Sequence, residues 1–565
     1  MKSLPKVPKS AVFLVAAILA SVFLLRFLFI DATLVSDDYL HHAARTANYY
    51  LALKQGQMPP RWAPNLNRGF GYPSFNYTYP LPYAVTAMIH ASGFSVQESV
   101  NLAVFASALL SVVAVFFLAR IHLLSAFKSS LLSLASIANP YYLLLVYWRG
   151  ALGELYFFAF VPVVLLGIEL TVRAKQPDKQ QLLGWGLIMT GLVGSVLSHV
   201  PSMVVLAPVL IGWVVLRVQC LKNTNRLMLN ISSAAVSAGL LTAWYWLPAL
   251  LERPFIVYDQ GSSLTLFAEH LVNLPTLFAV WRTSSSSDFF TQVLQVGLLA
   301  VTVIGFSLFY ARKGGKKYIF WLLVMVSTLL IMDIRFEWLW AAIPPLQFIQ
   351  FPWRLLWLVN IGALLLSIYL LQLDIKRQNV LLALIIMSVV WAGVGYAWPK
   401  GYQSRSDYEW YESVATGSSF DEHRPIWAEQ LPDFSSELLF LPTSTVSATT
   451  KISDWQTETN SSIKSISSTG TKTTYTIEIS EPLTVVHHKL YFPGWEVAAD
   501  NQPIEIRISH EAFPGLIVYE LQPGSKSVSV SFTGTTPVRQ VGAWLGVVGA
   551  LFTAGTVLIL KRTSH

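Results

Sequence analysis

The chain has 565 residues, 54% of them hydrophobic and only 12% charged, with a formal net charge of +8. A soluble domain carries about twice that charged fraction, so a soluble globular enzyme is excluded. The positive charge does not point to nucleic acid either, because the lysines and arginines fall in short clusters between apolar runs, the pattern that orients membrane proteins.

Apolar runs long enough to cross a bilayer fall near 10–30, 98–120, 128–147, 153–173, 181–199, 202–219, 230–250, 292–311, 317–333, 353–372, 378–397 and 541–560, predicting about twelve transmembrane helices. The first has no small-residue cleavage site at its end and reads as a retained anchor. The segment 79–92 is apolar but short and holds Pro80 and Pro82, so it is expected to dip into the bilayer or lie at its surface. With Lys2, Lys6 and Lys9 in the cytoplasm and 79–92 not crossing, every basic cluster in a short loop lands on that same side, from Arg120/Lys128 to Lys561/Arg562. Both termini are then cytoplasmic. The first loop 31–97, the turn 148–154, His199, the loop 251–291, the stretch 333–354 and the region 399–540 lie on the opposite face.

The region 399–540 is rich in Ser and Thr, then alternates in strand fashion, as in Tyr475-Thr476-Ile477-Glu478-Ile479, with turn signals at Pro493-Gly494 and Pro523-Gly524. The predicted organisation is therefore a membrane part, 1–398, with its large loop 31–97; a β-sandwich-like part, 399–540; and a final helix with a tail, 541–565. A single cysteine, Cys220, excludes an intramolecular disulfide and a cysteine-based zinc site. No phosphate-binding glycine loop, dinucleotide fingerprint, zinc-protease motif or serine elbow is present, so ATP-driven transport in cis and a soluble nucleotide-sugar domain are not expected.

The polar chemistry gathers on the face of the first loop. Asp38, His42 and Arg45 are spaced i, i+4, i+7 and share one face of a helix, with Asp37 and His41 beside them. Two readings are open. Asp37 or Asp38 is an acid that takes a proton from an acceptor hydroxyl or holds a divalent ion, or the acids serve as the helix N-terminus. A true metal site is disfavoured, since one Asp/His pair supplies too few ligands. The turn-rich segments around Arg61 and Gly69-Phe70-Gly71-Tyr72-Pro73 suit either a membrane interface or a sugar-stacking face, and Arg61 suits phosphate. Glu154 opens a membrane helix, a costly place for an acid unless it is paired or functional, and Arg149 is its obvious partner. His199 lies between two helix ends, either hydrogen-bonded there or part of a site. Trp281 and Arg282 lie in the long loop 251–291, of a length that often forms a binding element or lid. Arg354 enters a membrane helix just after Pro352. It reads as a phosphate ligand at a helix start or as a snorkelling cation paired with Asp333 or Glu337.

These motifs carry a resemblance. A basic-flanked first helix followed by a large loop opening on an acid resembles the membrane glycosyltransferases of the GT-C fold, which use polyprenyl-phosphate-linked sugars. More closely, Asp38-x3-His42-x2-Arg45, Pro60-Arg61-Trp62, Gly69-x-Gly71-Tyr72-Pro73-x-Phe75, Arg149-Gly150 with Glu154, Ser198-His199 and Phe351-Pro352-Trp353-Arg354 resemble a bacterial membrane-protein family labelled "6-pyruvoyl-tetrahydropterin synthase-related". The segment Tyr491-Phe492-Pro493-Gly494-Trp495 resembles the outer domain of that group and of YfhO-type proteins. The resemblance implies an inner-membrane enzyme that transfers a sugar, with inversion, from a polyprenyl-phosphate donor to an envelope glycan, lipid or protein. It implies a catalytic base at Asp38 or Asp37 and a donor phosphate held by Arg61, Arg149 or Arg354; His42 beside the base, and Arg45, Glu154 and His199, complete the candidate substrate-binding set read from the residues. No cofactor is required by it, although a divalent cation is compatible; membrane lipids are partners and nucleic acid is not. The alternative is a non-enzymatic membrane protein that binds or moves lipid-linked glycans or scaffolds an envelope assembly.

Overall fold

The computed structural model describes residues 9–174, 179–219, 224–259, 266–279, 294–373, 376–412, 421–428, 438–442, 462–508 and 513–562. Trp281 and Arg282, singled out in the sequence, lie outside the described residues.

The chain is a multi-pass membrane protein with a β-rich part joined to it. In order, α1 (Lys9–Leu24) leads to β1 (Thr33–Leu34) and α2 (Tyr39–Lys54). A single turn α3 (Ser74–Tyr77), α4 (Pro80–Ala91), α5 (Val96–Ile121), α6 (Ala126–Ile137) and α7 (Pro140–Leu144) follow, then α8 (Leu152–Arg173), α9 (Lys179–Val196), α10 (Val200–Val218), α11 (Thr224–Leu241) and α12 (Ala243–Leu251). Further long helices span Gly297–Ile331, Leu356–Gln372, Gln378–Tyr396 and Pro537–Arg562.

Helix length and composition confirm fewer than the expected twelve or so spans. Among the described residues seven are long and apolar enough to cross, or up to nine if two bent pairs, broken at 47° and 64°, each count as one. The segment 10–30 stops as a helix at Leu24 and α9 carries too many polar residues, whereas Gly297–Ile331 is two helices that meet at a kink at Gly315, whose φ of 70° and ψ of −172° are non-helical, matching the predicted 292–311 and 317–333. The twelve residues of α4 reach only about 18 Å, too short to cross, and lie packed against α2 and α5.

Burial identifies the centre of the bundle. The apolar windows of α8 and of the helix ending at Gln372 are 89% and 94% buried, whereas the final helix is 11% buried and peripheral. Glu154 and Glu169 lie on α8, separated by about 22 Å along the axis. At the Glu169 end the acid accepts both Nε and Nη2 of Arg217, at 2.7 and 2.8 Å, and Nε of Arg173 at 3.2 Å, tying α8 to α10. The Glu154 end faces the first loop.

The β-rich part is two antiparallel sheets. One has the order β4-β5-β10-β7-β8, with β4 (Ser462–Thr469), β5 (Lys472–Ile479), β7 (Trp495–Ala499), β8 (Gln502–Ile504) and β10 (Gly524–Phe532); the other is β3 (Leu438–Pro442), β6 (Leu483–Leu490) and β9 (Leu516–Leu521). Period-two alternation buries Tyr475, Ile477 and Ile479 on β5 and Val528, Val530 and Phe532 on β10, which form a core with Val485, Ile517 and Tyr519. β1 pairs with β2 (Tyr402–Gln403), and the ring-rich segment of the first loop docks on the sandwich. Trp62 meets Trp495 and Phe532, Phe70 stacks on His488 at 3.7 Å, and the Lys489 ammonium donates to the Gly69 carbonyl at 2.6 Å. These rings serve neither a membrane surface nor a sugar face; they weld loop to sandwich.

Candidate active site

The segment before α2 is set against the turn at the start of α8. The Asp37 and Asp38 amides donate to the carbonyls of Trp148 and Arg149, at 3.2 and 2.8 Å. Gly150 makes this approach possible. Its φ is +67°, and a Cβ there would lie 2.6 Å from both Ser36 Oγ and the Tyr39 ring. Asp38 occupies the N-cap position of α2 but makes no side-chain cap bond; Ser36 Oγ accepts the Tyr39 amide instead, at 3.2 Å. The Asp38 carboxylate, 30% exposed, turns toward Arg149 Nη2 at 3.5 Å. Asp37, also partly exposed, pairs with Lys400 at 3.4 Å. Burial raises the Asp37 carboxyl above its ordinary value, against the pull of Lys400 and Arg149.

Glu154 is the hub behind these acids. Its Oε1 accepts Arg149 Nη1 at 2.6 Å and Arg354 Nε at 3.1 Å, and its Oε2 accepts the Tyr141 hydroxyl at 2.9 Å. Arg354 therefore pairs with Glu154, and not with Asp333, which is held by Arg335 at 2.6 Å. Arg354 also donates to the Ile349 carbonyl and to Gln350 Oε1, at 2.8 and 3.1 Å. Arg149 lies 4.7 Å over the Trp353 ring, so one motif supplies both the partner cation and its aromatic bed.

On α2, His42 and Arg45 converge on one hydroxyl. His42 Nδ1 is 2.7 Å from the Tyr83 oxygen, and Arg45 Nη1 donates to that oxygen at 3.2 Å. His42 Nε2 accepts the Leu152 amide at 3.4 Å, which assigns the ring proton to Nδ1. Burial among Arg45, His41 and Arg149 keeps His42 neutral well below the usual histidine range. His199 Nδ1 meets Ser202 Oγ at 2.8 Å, and burial pushes this ring down to about 3.

These elements enclose one cavity of about 480 Å³. Asp37, Asp38, His42, Arg45, Arg149, His199 and Arg354 line it, with Glu154 directly behind the two arginines. Its flank is apolar, formed by Val200 and Val204 of α10 and Ala249 and Leu250 of α12, and Leu250 is 57% exposed on the outside of the bundle. Arg61 is not brought in. It donates to Asn76 Oδ1 and the Trp244 carbonyl, at 3.0 and 2.6 Å, beside the buried pair Glu252–Arg539. Among the described residues no three His, Cys, Asp or Glu side chains gather as metal ligands.

Sequence reasoning missed four groups that face the same space: Glu422 and His423, Arg253 and Gln350. The first two arrive from the region beyond the membrane part. Their neighbour Asp421 accepts the Tyr72 hydroxyl at 2.7 Å, some 349 residues away in the chain, and no local spacing announces that contact. Gln350 could have been flagged, since it immediately precedes the Phe351–Arg354 motif.

No protein-family model matches the chain, and no curated protein matches it in sequence, so the family label read from the motifs gains no support there. Solved structures similar to the chain are GT-C fold glycosyltransferases. The arabinofuranosyltransferase AftD from mycobacteria aligns at a TM-score of 0.44 and 15% identity, over 69% of this chain and 27% of that one. ArnT from Cupriavidus metallidurans, bound to undecaprenyl phosphate, aligns at 0.30 and 13%, over 64% of this chain and 78% of that one. The chain thus spans about a quarter of the length of AftD. The chemistry of the site rests on its own geometry.

Proposed function

We propose that the cavity is the active site of a membrane glycosyltransferase, which moves a sugar from a polyprenyl-phosphate donor to a hydroxyl of an envelope glycan, lipid or protein. One observation carries this reading: a single cavity joins the carboxylates of the first loop to a cluster of guanidinium groups and has an apolar flank with an exposed edge. Carboxylates suit the acceptor, guanidinium groups suit a phosphate, and the flank suits an isoprenoid chain. In the charge-derived topology this face is extracytoplasmic and both termini are cytoplasmic, in a bacterial inner membrane.

The reaction is a direct displacement with inversion. The acceptor oxygen attacks the anomeric carbon, the bond from that carbon to the phosphate oxygen breaks, and the polyprenyl phosphate leaves with the electron pair. The acceptor proton passes to a carboxylate. Asp38 is the better base, since Arg149 orients it and no cap bond occupies it, whereas Asp37 is held by Lys400. Cations near the phosphate stabilise the charge that develops on the leaving group. His42, with both ring nitrogens engaged, acts by positioning Tyr83 and the start of α8.

The test is transfer from a panel of polyprenyl-phosphate sugars by the purified chain, read as release of polyprenyl phosphate. Asp38→Asn should lower turnover about 10²- to 10⁴-fold, and Asp37→Asn much less. Full activity in both variants overturns the assignment. Tight donor binding without turnover on any acceptor favours the non-enzymatic reading.

A further inference from the structure

We propose that Arg45 is the seat of the phosphate of the lipid-linked ligand, and that Arg149 and Arg354, although they crowd the same cavity, are not. This rests on the reading of the cavity as a site for a prenyl-phosphate-linked sugar.

The distinction lies in which cations are already neutralised. Arg149 is bound by two carboxylates, Glu154 at 2.6 Å and Asp38 at 3.5 Å. Arg354 shares Glu154 at 3.1 Å and spends Nη1 on the Ile349 carbonyl and Gln350. Two guanidinium groups face two carboxylates, so this cluster offers an incoming anion no net charge. Arg149 Nε does lack an acceptor, but both its Nη groups are taken. The cluster fixes Asp38 and the α8 turn.

Arg45 is different. It is 8% exposed and lines the cavity. Its hydrogen bond is to the Tyr83 hydroxyl, a neutral acceptor, at 3.2 Å, and its Nε is buried with no partner. Among the described residues no carboxylate lies within ion-pair distance of it. Glu422, which lines the same cavity, favours the Arg45 charge. The buried histidines beside it are neutral and add no second positive charge. A buried guanidinium without a partner is costly to keep. That cost is offset when an anion reaches the guanidinium from the cavity it lines, where a phosphate suits the paired geometry that guanidinium groups favour. The position suits transfer as well. Arg45 stands seven residues beyond Asp38 on one face of α2, about 10 Å along the axis, which leaves room for a sugar between phosphate and base.

The experiment is calorimetric binding of farnesyl phosphate to the purified full-length chain in detergent, with farnesol and inorganic phosphate as parallel ligands. Wild type should bind farnesyl phosphate well above either control. Arg45→Gln should weaken it about 10- to 100-fold, Arg45→Lys several-fold, and neither should lower the thermal midpoint, because an unpaired buried charge is removed or relaxed. Unchanged affinity in Arg45→Gln overturns the seat while leaving the cavity reading intact, as does farnesol binding as tightly as farnesyl phosphate. Equal binding of inorganic phosphate reassigns the seat to a free anion and overturns the lipid link. No binding of farnesyl phosphate by wild type overturns the cavity reading itself. Should Arg45→Gln fail to fold, Arg45→Lys decides: weakened affinity supports the seat and unchanged affinity overturns it.

Discussion

Asp38 and Asp37 are adjacent in the chain and similar in chemistry, yet their surroundings divide them. One is oriented by a buried arginine, and the other is paired with a lysine at the rim. The same local differences govern protons on the histidines. His42 and His423 are buried and neutral in the fold, and burial holds His423 at about 4. In the unfolded chain both titrate near 6.5. As pH falls below about 6.5 the unfolded chain binds protons that the folded chain refuses. Stability therefore drops from that point down to the folded values, by up to about 1.4 kcal/mol per pH unit for each histidine. Asp37 works in the opposite sense at lower pH, since its raised value makes its contribution unfavourable only above the ordinary carboxylate range. The thermal midpoint in detergent is thus expected to fall between pH 7 and pH 5, and a His42→Gln, His423→Gln double variant should show a flatter profile.

At the scale of elements, the site depends on how α2 meets α8. Nothing covalent joins Ser36–Asp38 to the turn at Arg149; two backbone hydrogen bonds and one glycine hold them together. In Gly150→Ala the new Cβ meets Ser36 and Tyr39, and the left-handed backbone adds about 1–2 kcal/mol. The acids should then move away from Arg149. We expect at least a tenfold loss of transfer, with a fall in thermal midpoint of only a few degrees. Loss of the midpoint without loss of activity in the surviving folded protein would argue against this junction as the determinant of base position. The spacing of Asp38, His42 and Arg45 was legible because a helix period puts them on one face, and the Arg149–Glu154 pair because the two lie five residues apart. The Arg354–Glu154 pair was not legible. It spans 200 residues, and Asp333 and Glu337 were nearer in sequence.

At the scale of the molecule, a second buried hub ties the bundle to the segment that leaves the sandwich. Glu252 accepts Arg539 Nε and Nη2 at 2.9 and 2.8 Å, Asn76 at 2.9 Å and Thr536 at 2.5 Å, joining α12, the first loop and the final helix. Arg61 stands beside it, and burial next to Arg539 pushes that guanidinium down to about 10. Arg61 thus belongs to this joint and not to the phosphate. Glu252→Gln leaves Arg539 buried without a counter-charge and should cost about 3–5 kcal/mol, measured as a lowered thermal midpoint and faster tryptic cleavage between the bundle and the sandwich. A variant as stable as wild type would show that the sandwich is held by its apolar contacts alone.

Composition and charge patterning determined the membrane class and the period that aligns three residues of α2. These follow from local rules: an apolar run of given length, a basic cluster between runs, 3.6 residues per turn. Tertiary structure decided which cations are spent and which is left over. It sent Arg61 to a joint, tied Arg354 to Glu154, brought Glu422 and His423 to the cavity, and turned the loop's aromatic rings toward the sandwich. Each of these is a pairing between distant segments, set by packing, and neither composition nor spacing encodes a partner so far along the chain.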